Sequence, residues 1–378
     1  MALVRLRSKS ALPLGLALVC LTLAAAPSGP VAARPAASPL AALPERLSDA
    51  EFWQLITDIS EPGGYFRISD NYTSNEREIG QLFTLIREAN IKGGVYLGVG
   101  PEQNLTYIAA VRPAMAFIID IRRQAVMQHL MFKAIFEMSK DRADFISLLF
   151  SKPRPSGLDA STPIQQTWEA FFNVAADFTM SQKTYTRIVD LLTKTKKFTL
   201  TPEESGQLES VYQAFYNYGP GISTRGPAGR GGGTLTFADL TGWTYDATGF
   251  PQSFLSSDDH FRSVKALHEK NLIVPVSGDF GGPRAIRAIG TYLKKHGGTV
   301  TAFYVSNVEQ YLFQDGKHGA FYENVATLPL GDQSVFIRPY SLRRGSGPMQ
   351  SLCSIPGFLG AFSSGRVYTN NDALACAR

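Results

Sequence analysis

The sequence predicts an α/β protein in which a Rossmann-like, mostly parallel sheet is flanked by helices and interrupted by a helical insertion. Two near-continuous apolar runs, 94–99 and 115–119, are short and are typical of strands covered on both faces. Such runs alternate with helical patterns along the chain, which favours parallel strands joined by helices. With 378 residues and an apolar fraction of 44%, the chain can bury a substantial core.

The N-terminal segment has the pattern of a secretory signal peptide, predicted at 1–33. Three basic residues within the first nine precede an apolar run at 11–26 and a small-residue site at 31–33. The run is shorter than the roughly 20 residues of a membrane-spanning helix. We therefore expect export to the periplasm or the extracellular space, with no stable membrane insertion after cleavage. Retention of the segment as an anchor stays open.

Charge and cysteine content narrow the class of partner. The formal net charge of +5 falls to +2 when the three basic residues of 1–33 are removed, which argues against a nucleic-acid-binding protein. Two cysteines, Cys353 and Cys376, then remain in a compartment that permits disulfides. We expect them to form a disulfide, and the alternative is two free thiols.

The first part of the core is predicted at 48–150, after a Pro- and Ala-rich linker at 34–47. Ser48 begins a capping box at the start of a helix. A second amphipathic helix follows at about 79–86, preceded by a polar stretch that could cap the helix or line a pocket. After the two strands, a single long helix is predicted from about 122 towards 150.

Residues 151–233 are predicted to be a helical insertion that ends in a glycine-rich loop. Thr201 begins a second capping box, with Pro at the first helical position. The glycine-rich part, 219–233, includes Arg225 and Arg230 and indicates a loop, with an RNA-binding tract or a phosphate loop as alternatives. No Lys-Ser/Thr pair follows the glycines, which excludes a Walker phosphate loop.

The second part of the core is predicted at 234–345, and a C-terminal tail follows at 346–378. Pro275 suits a strand at the edge of the sheet or an irregularity within a strand, because proline cannot donate a hydrogen bond to a neighbouring strand. The predicted elements are a strand at 272–279, a helix opened by Pro283, and strands at 300–305 and 334–337, the last of the sheet.

Three strand ends carry candidate ligand-binding residues, because ligands bind beyond the carboxyl ends of parallel strands. Gly98 and Gly100 let the backbone approach a ligand, and the amides of the following helix favour a carboxylate or phosphate. Asp120 lies 20 residues after Gly100, the usual separation for an acid that accepts hydrogen bonds from ribose hydroxyls. Asp279, followed by Phe280, offers an acid beside an aromatic ring.

The glycine pattern also distinguishes between ligands. The segment Gly98–Gln103 lacks the third glycine of the dinucleotide fingerprint, so a pyrophosphate would fit poorly. A single nucleoside with an amino-acid tail still fits, and S-adenosylmethionine has this shape.

Two segments, Gly98–Asn104 and Ile119–Arg123, give the chain a resemblance to the class I S-adenosylmethionine-dependent methyltransferase core. More narrowly, the chain is similar to a family of largely uncharacterised bacterial proteins with that core. The resemblance covers roughly 48–150 and 258–340 and leaves the helical insertion without a counterpart. The acid that usually precedes the glycine loop is replaced by the run 93–97.

The resemblance implies S-adenosylmethionine as the cofactor, with Gly98 and Gly100 around its methionine portion and Asp120 on its ribose. Asp279, or a tyrosine, is the candidate catalytic base. The complete set of predicted cofactor-binding residues is Gly98, Gly100, Glu102, Gln103, Asn104, Asp120 and Arg122.

Structural alternatives exist for the charged candidates. Glu102 could complement a helix dipole, and Asp120 could cap the helix that follows it. Asp279 could cap the turn before Pro283, and Arg122 could be a solvated residue at a helix start. The five histidines show no metal-ligand spacing, so the sequence does not predict a metal site. No nucleophile-elbow serine motif is present, so the sequence does not predict a serine hydrolase either.

The sequence therefore predicts an exported protein that binds S-adenosylmethionine or a related small nucleoside and methylates an unknown acceptor. The alternative is an exported, non-catalytic binding or interaction module that retains the Rossmann-like fold. A third hypothesis, an NAD-dependent oxidoreductase, is weakened by the missing glycine. The sequence does not determine whether the protein is an enzyme, nor its oligomeric state.

Overall fold

The computed structural model describes residues 42–66, 70–76, 79–227, 234–340 and 349–376. The predicted signal peptide, most of the predicted linker, and the glycine-rich residues 228–233 lie outside the described residues. None of the described helices is long and apolar enough to cross a membrane.

A six-stranded sheet forms the centre of the fold, and the predicted α/β class is confirmed. Its strand order is β5-β2-β1-β6-β7-β8, and a separate two-stranded hairpin pairs β3 with β4. The strands are β1 Val95–Gly98, β2 Met115–Asp120, β3 Ile222–Ser223, β4 Gly226–Pro227, β5 Ile273–Ser277, β6 Val300–Tyr304, β7 Leu330–Tyr340 and β8 Met349–Ser354.

Five neighbouring strands of the sheet are parallel. The chain runs from β1 outwards through β2 to β5 on one side and through β6 to β7 on the other. The strand order therefore reverses between β1 and β6, which is the point where open α/β sheets bind ligands. Pro275 lies in β5, at the edge of the sheet as predicted.

The prediction that the strand at 334–337 is the last was wrong, because β8 follows and pairs antiparallel with β7. The sequence of β8, MQSLCS, lacks the continuous apolar run by which the parallel strands are recognised. An antiparallel edge strand can have one exposed face, so its sequence signal is weaker.

Helices cover both faces of the sheet, and the capping boxes predicted at Ser48 and Thr201 are confirmed. A π-helical turn, Asp190–Thr195, extends α7, and a 3-10 turn, Gly219–Gly221, follows α8. The helices are α1 Asp49–Ile59, α2 Gln81–Glu88, α3 Gln103–Val111, α4 Arg123–Met138, α5 Arg142–Phe150, α6 Ile164–Phe172, α7 Phe178–Val189, α8 Pro202–Tyr218, α9 Phe237–Gly242, α10 Asp258–Glu269, α11 Ala285–Lys295, α12 Val308–Gln314, α13 His318–Ala326, α14 Ile355–Ser363 and α15 Asn370–Leu374.

The prediction of a single long helix from 122 towards 150 was wrong, because the structure divides this segment into α4 and α5. Asp141 is the N-cap of α5 and accepts a hydrogen bond from the backbone amide of Asp144. An aspartate that satisfies a free amide in this way favours a new helix start over continuation of the old helix.

The insertion packs on the core through aromatic side chains. Phe215 of α8 lies 5.7 Å from Phe132 of α4, measured between ring centroids. Trp168 of α6 is fully buried and lies 6.1 Å from Phe237 of α9. Aromatic pairs at these distances contribute beyond their buried area, so the insertion is joined to the core by a continuous apolar contact.

A disulfide joins Cys353 of β8 to Cys376, which follows α15. The expected pairing is therefore confirmed. It attaches the C-terminal helix to the antiparallel edge of the sheet.

Candidate functional site

A cavity of about 310 Å³ lies at the carboxyl ends of four neighbouring parallel strands. Gly100 lines it after β1, residues 120–122 at the end of β2, residues 278–280 after β5 and residues 306–308 after β6. This volume is at the lower end of the range for small-molecule sites, and the position spans the reversal in strand order. The cavity is therefore the candidate functional site.

Two glycines of the loop between β1 and α3 differ in position, because Gly100 lines the cavity and Gly98 does not. Gly100 lines the cavity with φ of +81°, a conformation that other residues rarely adopt. Gly98 lies behind the loop, where an added Cβ would collide with the Asn104 carboxamide. Asn104 Nδ2 donates to the carbonyls of Val99, Gly100 and Pro101 at 2.8–3.1 Å. Gly98 and Asn104 therefore shape the loop without lining the cavity.

Gln103 is the polar side chain at the start of α3 that faces the cavity. It is buried, with 3% of its surface exposed, and its Nε2 donates to the Tyr304 hydroxyl at 2.8 Å. Its Oε1 has no hydrogen-bond partner among the described residues. A buried acceptor without a partner is costly, so this oxygen is suited to a donor on a ligand.

Glu102 lies next to Gln103 but does not line the cavity. Its carboxylate accepts hydrogen bonds from the backbone amide of Ser74 at 3.1 Å to each oxygen. Burial is the largest effect on this carboxyl, and it raises the pKa of Glu102 to about 8. Glu102 thus holds residues 70–76, which we call the strap, against the glycine loop.

His129 of α4 contacts the backbone of the glycine loop. The sequence did not identify it as a residue of the site. Burial lowers the pKa of His129, so the ring is neutral at physiological pH. Its Nε2 lies 2.9 Å from the carbonyl oxygen of Gly100 and donates to it in the tautomer that this contact requires. Nothing in its sequence spacing distinguishes it from an ordinary core residue.

Asp120 and Arg122 both line the cavity and pair with each other. Asp120 Oδ1 accepts from Arg122 N at 2.9 Å and from Nε at 3.1 Å, and Oδ2 accepts from Nη2 at 2.8 Å. The N-cap residue of α4 is Arg122, and no side chain caps that end of the helix. Asp120 is therefore at the cavity with an arginine partner, and it does not act as a helix N-cap.

Asp279 lines the cavity on the β5 side. Its Oδ2 accepts from Lys317 Nζ at 2.8 Å, and its Oδ1 accepts from the amide of Gly281 at 2.9 Å. The hydrogen bond and charge of Asp279 raise the pKa of Lys317. The contact with Gly281 is the turn capping that the structural alternative predicted for Asp279. The amides at the start of α11 are bound at 2.9 and 3.0 Å by Glu61.

Two segments distant in sequence complete the wall. Asn71 and Ser74 of the strap line the cavity, as do Thr224 and Arg225 in the turn of the β3–β4 hairpin. The amide of Tyr72 donates to the carbonyl of Thr224 at 3.1 Å, which joins the strap to the hairpin. The insertion therefore contributes directly to the site. In the sequence, the only signals for the strap and the hairpin were the polar composition of the strap and the two arginines of the glycine-rich part.

Ser306, two residues after the end of β6, is a further cavity residue that the sequence did not indicate. It has φ of +47°, and its Oγ donates to Glu76 Oε1 of the strap at 2.7 Å. Glu76 is buried, with 4% of its surface exposed. The cavity thus has a buried carboxylate directly behind one wall.

Among the described residues, no group of three or more His, Cys, Asp or Glu side chains is arranged to hold a metal ion. The polar groups that face the cavity are instead hydrogen-bonding side chains and paired charges.

A family model described as a domain of unknown function (DUF7790) matches residues 72–203 and 243–351. The match covers more than half of the chain, and the chain therefore belongs to this family. The matched segments contain all four strand ends that line the cavity, whereas the β3–β4 hairpin lies outside them. No curated protein matches the chain.

Proposed function

We propose that this member of the DUF7790 family binds S-adenosylmethionine, or a closely related single nucleoside, in the cavity and transfers a methyl group from it to an acceptor. One observation carries the proposal. The cavity lies at the reversal of strand order, with a positive-φ glycine after β1 and an acid at the end of β2. These are the positions from which an α/β sheet contacts a nucleoside.

The residues at the glycine loop suit an amino-acid tail. The N-terminus of α3 favours a carboxylate through its backbone amides and helix dipole. The unpartnered Oε1 of Gln103 is an acceptor that an ammonium group could satisfy. Together they match the two charged groups at the amino-acid end of S-adenosylmethionine.

Asp120 is the proposed ribose ligand. Arg122 donates twice to Oδ1 and once to Oδ2 in the structure, and a carboxylate has about four acceptor positions. Capacity for a ribose hydroxyl therefore remains at Oδ2. Arg122 keeps the Asp120 carboxylate in a fixed orientation towards the cavity.

Bound S-adenosylmethionine would supply an electrophilic methyl group, so the protein's task is to position the donor and the acceptor. Asp279 and Lys317 form an ion pair on the β5 side of the cavity. Because a proton on Asp279 would break this ion pair, we propose that the pair orients a bound molecule. A separate group is then needed to accept a proton.

Calorimetry on the full chain with S-adenosylmethionine, S-adenosylhomocysteine and NAD tests the proposal. We expect the first two to bind and NAD to bind at least tenfold more weakly, because Gln103 occupies the position of the third fingerprint glycine. If neither S-adenosylmethionine nor S-adenosylhomocysteine binds at millimolar concentration, the proposal is contradicted.

A non-catalytic binding module is the second candidate function. The observation that favours it is the Asp120–Arg122 pair, which takes up three of the about four acceptor positions of that carboxylate. Binding of S-adenosylhomocysteine with no consumption of S-adenosylmethionine, in the presence of a broad set of acceptors, would favour this second function.

We also propose that the chain is exported. The Cys353–Cys376 disulfide supports this proposal, because structural disulfides persist mainly in oxidising compartments. Cell fractionation of the full chain tests it, and retention in the cytoplasm with reduced cysteines would contradict it.

A further inference from the structure

We infer that Ser306 and Glu76 form a proton-accepting pair that serves an acceptor with a hydroxyl or amine group. This inference rests on the proposed methyl transfer and names the class of the second substrate. It is carried by the backbone of Ser306, by the burial of Glu76 and by the hydrogen bond between them.

Ser306 has an unusual backbone conformation for a serine. Among the described non-glycine residues that line the cavity, it alone has a positive φ, +47°. Such conformations are costly for residues with a Cβ and persist where the surrounding structure enforces them, most often at functional sites. Here the conformation accompanies a hydroxyl that borders the cavity and donates to a buried acid.

Glu76 reaches this position from the strap. Its Oε1 accepts from Ser306 Oγ at 2.7 Å, and the strap is fixed by the hydrogen bonds between Ser74 and Glu102. Because Glu76 does not itself line the cavity, a proton from a bound molecule would reach it through the Ser306 hydroxyl. This makes Ser306 the group that touches the substrate and Glu76 the positioning and accepting residue behind it.

The other groups nearby are less suited to accept a proton. Burial raises the pKa of Tyr107 and of Tyr304 well above the usual range, and the charge of Glu76 raises both further. Both tyrosines therefore stay protonated. Asp279 is held in an ion pair with Lys317, and that pair would be lost if Asp279 took up a proton.

The proposed transfer moves one methyl group to the acceptor and one proton to Glu76. The oxygen or nitrogen of the acceptor forms a bond to the methyl carbon while the carbon–sulfur bond breaks, and the electron pair of that bond stays on sulfur. The acceptor's proton moves to Ser306 Oγ, and the hydroxyl proton of Ser306 moves to Glu76 Oε1. The sulfonium becomes a neutral thioether, and Glu76 becomes a neutral acid.

An acid that accepts this proton must be ionised before the reaction. Infrared difference spectra of wild type and Glu76→Gln at pH 7.5, with isotope-labelled glutamate, test this without any ligand. We expect the wild type to show a carboxylate band that the variant lacks. A protonated carboxyl band at Glu76 would overturn the inference and leave the proposed ligand unaffected.

Methyl transfer is then compared for a phenol, a primary amine and a thiol, each with the full chain and S-adenosylmethionine. Ser306→Ala and Glu76→Gln should slow transfer to the phenol and amine by about 10²–10⁴-fold. Transfer to the thiol at about pH 9.5, where it is mostly thiolate, should change little because no proton needs to be removed. The affinity for S-adenosylhomocysteine should stay within about threefold.

Ser306→Gly keeps the test valid if the alanine variant folds poorly, because glycine adopts positive φ without strain. Lys197→Gly is the matched control, since Lys197 is exposed, has φ of +61° and does not line the cavity. We expect Lys197→Gly to retain wild-type transfer and Ser306→Gly to lose it. Equal rates in wild type, Ser306→Gly and Glu76→Gln would overturn the inference, whereas absence of S-adenosylhomocysteine binding would overturn the proposed function.

Discussion

Two arginine–carboxylate pairs of nearly equal length lie in very different surroundings. Arg122 and Asp120 are 2.8 Å apart at the cavity, and Arg338 and Glu309 are 2.7 Å apart between β7 and α12. The side chains of the second pair are 0% and 2% exposed, against 11% and 7% in the first. The difference separates a pair that borders the cavity from one enclosed by protein.

The enclosed pair belongs to the edge of the sheet that the disulfide secures. Arg338 lies 4.2 Å and 4.0 Å from the ring centroids of Phe336 and Phe358, and it donates to the carbonyl of Ala373 at 3.1 Å. We therefore expect the β7–β8 edge to determine stability and the β1–β2 strand ends to determine ligand affinity.

The largest expected effect is on stability, from Arg338→Met. This change leaves Glu309 as a buried charge without its partner, and we expect the free energy of unfolding to fall by about 3–5 kcal/mol. Urea denaturation measures it, and the double variant Arg338→Met/Glu309→Leu should recover part of the loss. A loss below about 1 kcal/mol would show that the Arg338–Glu309 pair contributes little to stability and would contradict this expectation.

Removal of the disulfide is the next largest change. Cys353→Ser/Cys376→Ser opens a loop with a sequence separation of 23. The chain-entropy estimate gives a loss of about 3 kcal/mol in the free energy of unfolding. Reduced wild type should match the double variant in denaturation, with unchanged affinity for S-adenosylhomocysteine. A large loss of affinity would instead couple this edge to the cavity.

The third prediction concerns Glu102, whose pKa is raised to about 8 by burial. In the unfolded chain a glutamate has a pKa of about 4.3, so between that pH and about 8 the folded state keeps a proton that the unfolded state has lost. The stabilisation from this group is fully present below about pH 4.3 and is lost as pH rises to about 8.

Glu102→Gln removes this dependence, so its stability relative to wild type should rise by about 2 kcal/mol between pH 6 and pH 8. Thermal or urea unfolding over this pH range measures the difference between the two proteins. A difference that does not change with pH would mean that Glu102 is ionised throughout and that the strap is held in another way.

The smallest expected effect is at the cavity pair. Asp120→Asn should weaken binding of S-adenosylhomocysteine by about tenfold or more, because a hydrogen bond to a charged acceptor contributes about 1.5–3 kcal/mol. The free energy of unfolding should change by about 1 kcal/mol, well below the effect of Arg338→Met. Lost stability with unchanged affinity would reverse the assignment of the two pairs.

Most of the parallel sheet could be predicted from the sequence because its strands are short apolar runs with both faces buried. The antiparallel β8 lacks such a run and was missed. The break between α4 and α5 depends on how Asp141 satisfies the amide of Asp144, and the long helical pattern around it hid that start.

At the site, Gly100, Asp120 and Asp279 were found because the carboxyl ends of parallel strands converge. Ser306 and Glu76 were not, since they are 230 positions apart and meet only after the strap folds over the loop. Gly98 and Glu102 do not line the cavity because of how the loop and the strap pack, and no local sequence pattern predicts that packing. Sequence spacing therefore predicts which strand ends meet, whereas the orientation of each side chain requires the structure.

The central claim is that the cavity holds a single nucleoside with an amino-acid tail. A crystal structure of the full chain grown with S-adenosylhomocysteine tests it most directly. We predict that the ribose hydroxyls will lie within hydrogen-bonding distance of Asp120 and the amino-acid tail at Gly100 and Gln103. An empty cavity at millimolar ligand, or ligand bound elsewhere on the protein, would contradict the claim.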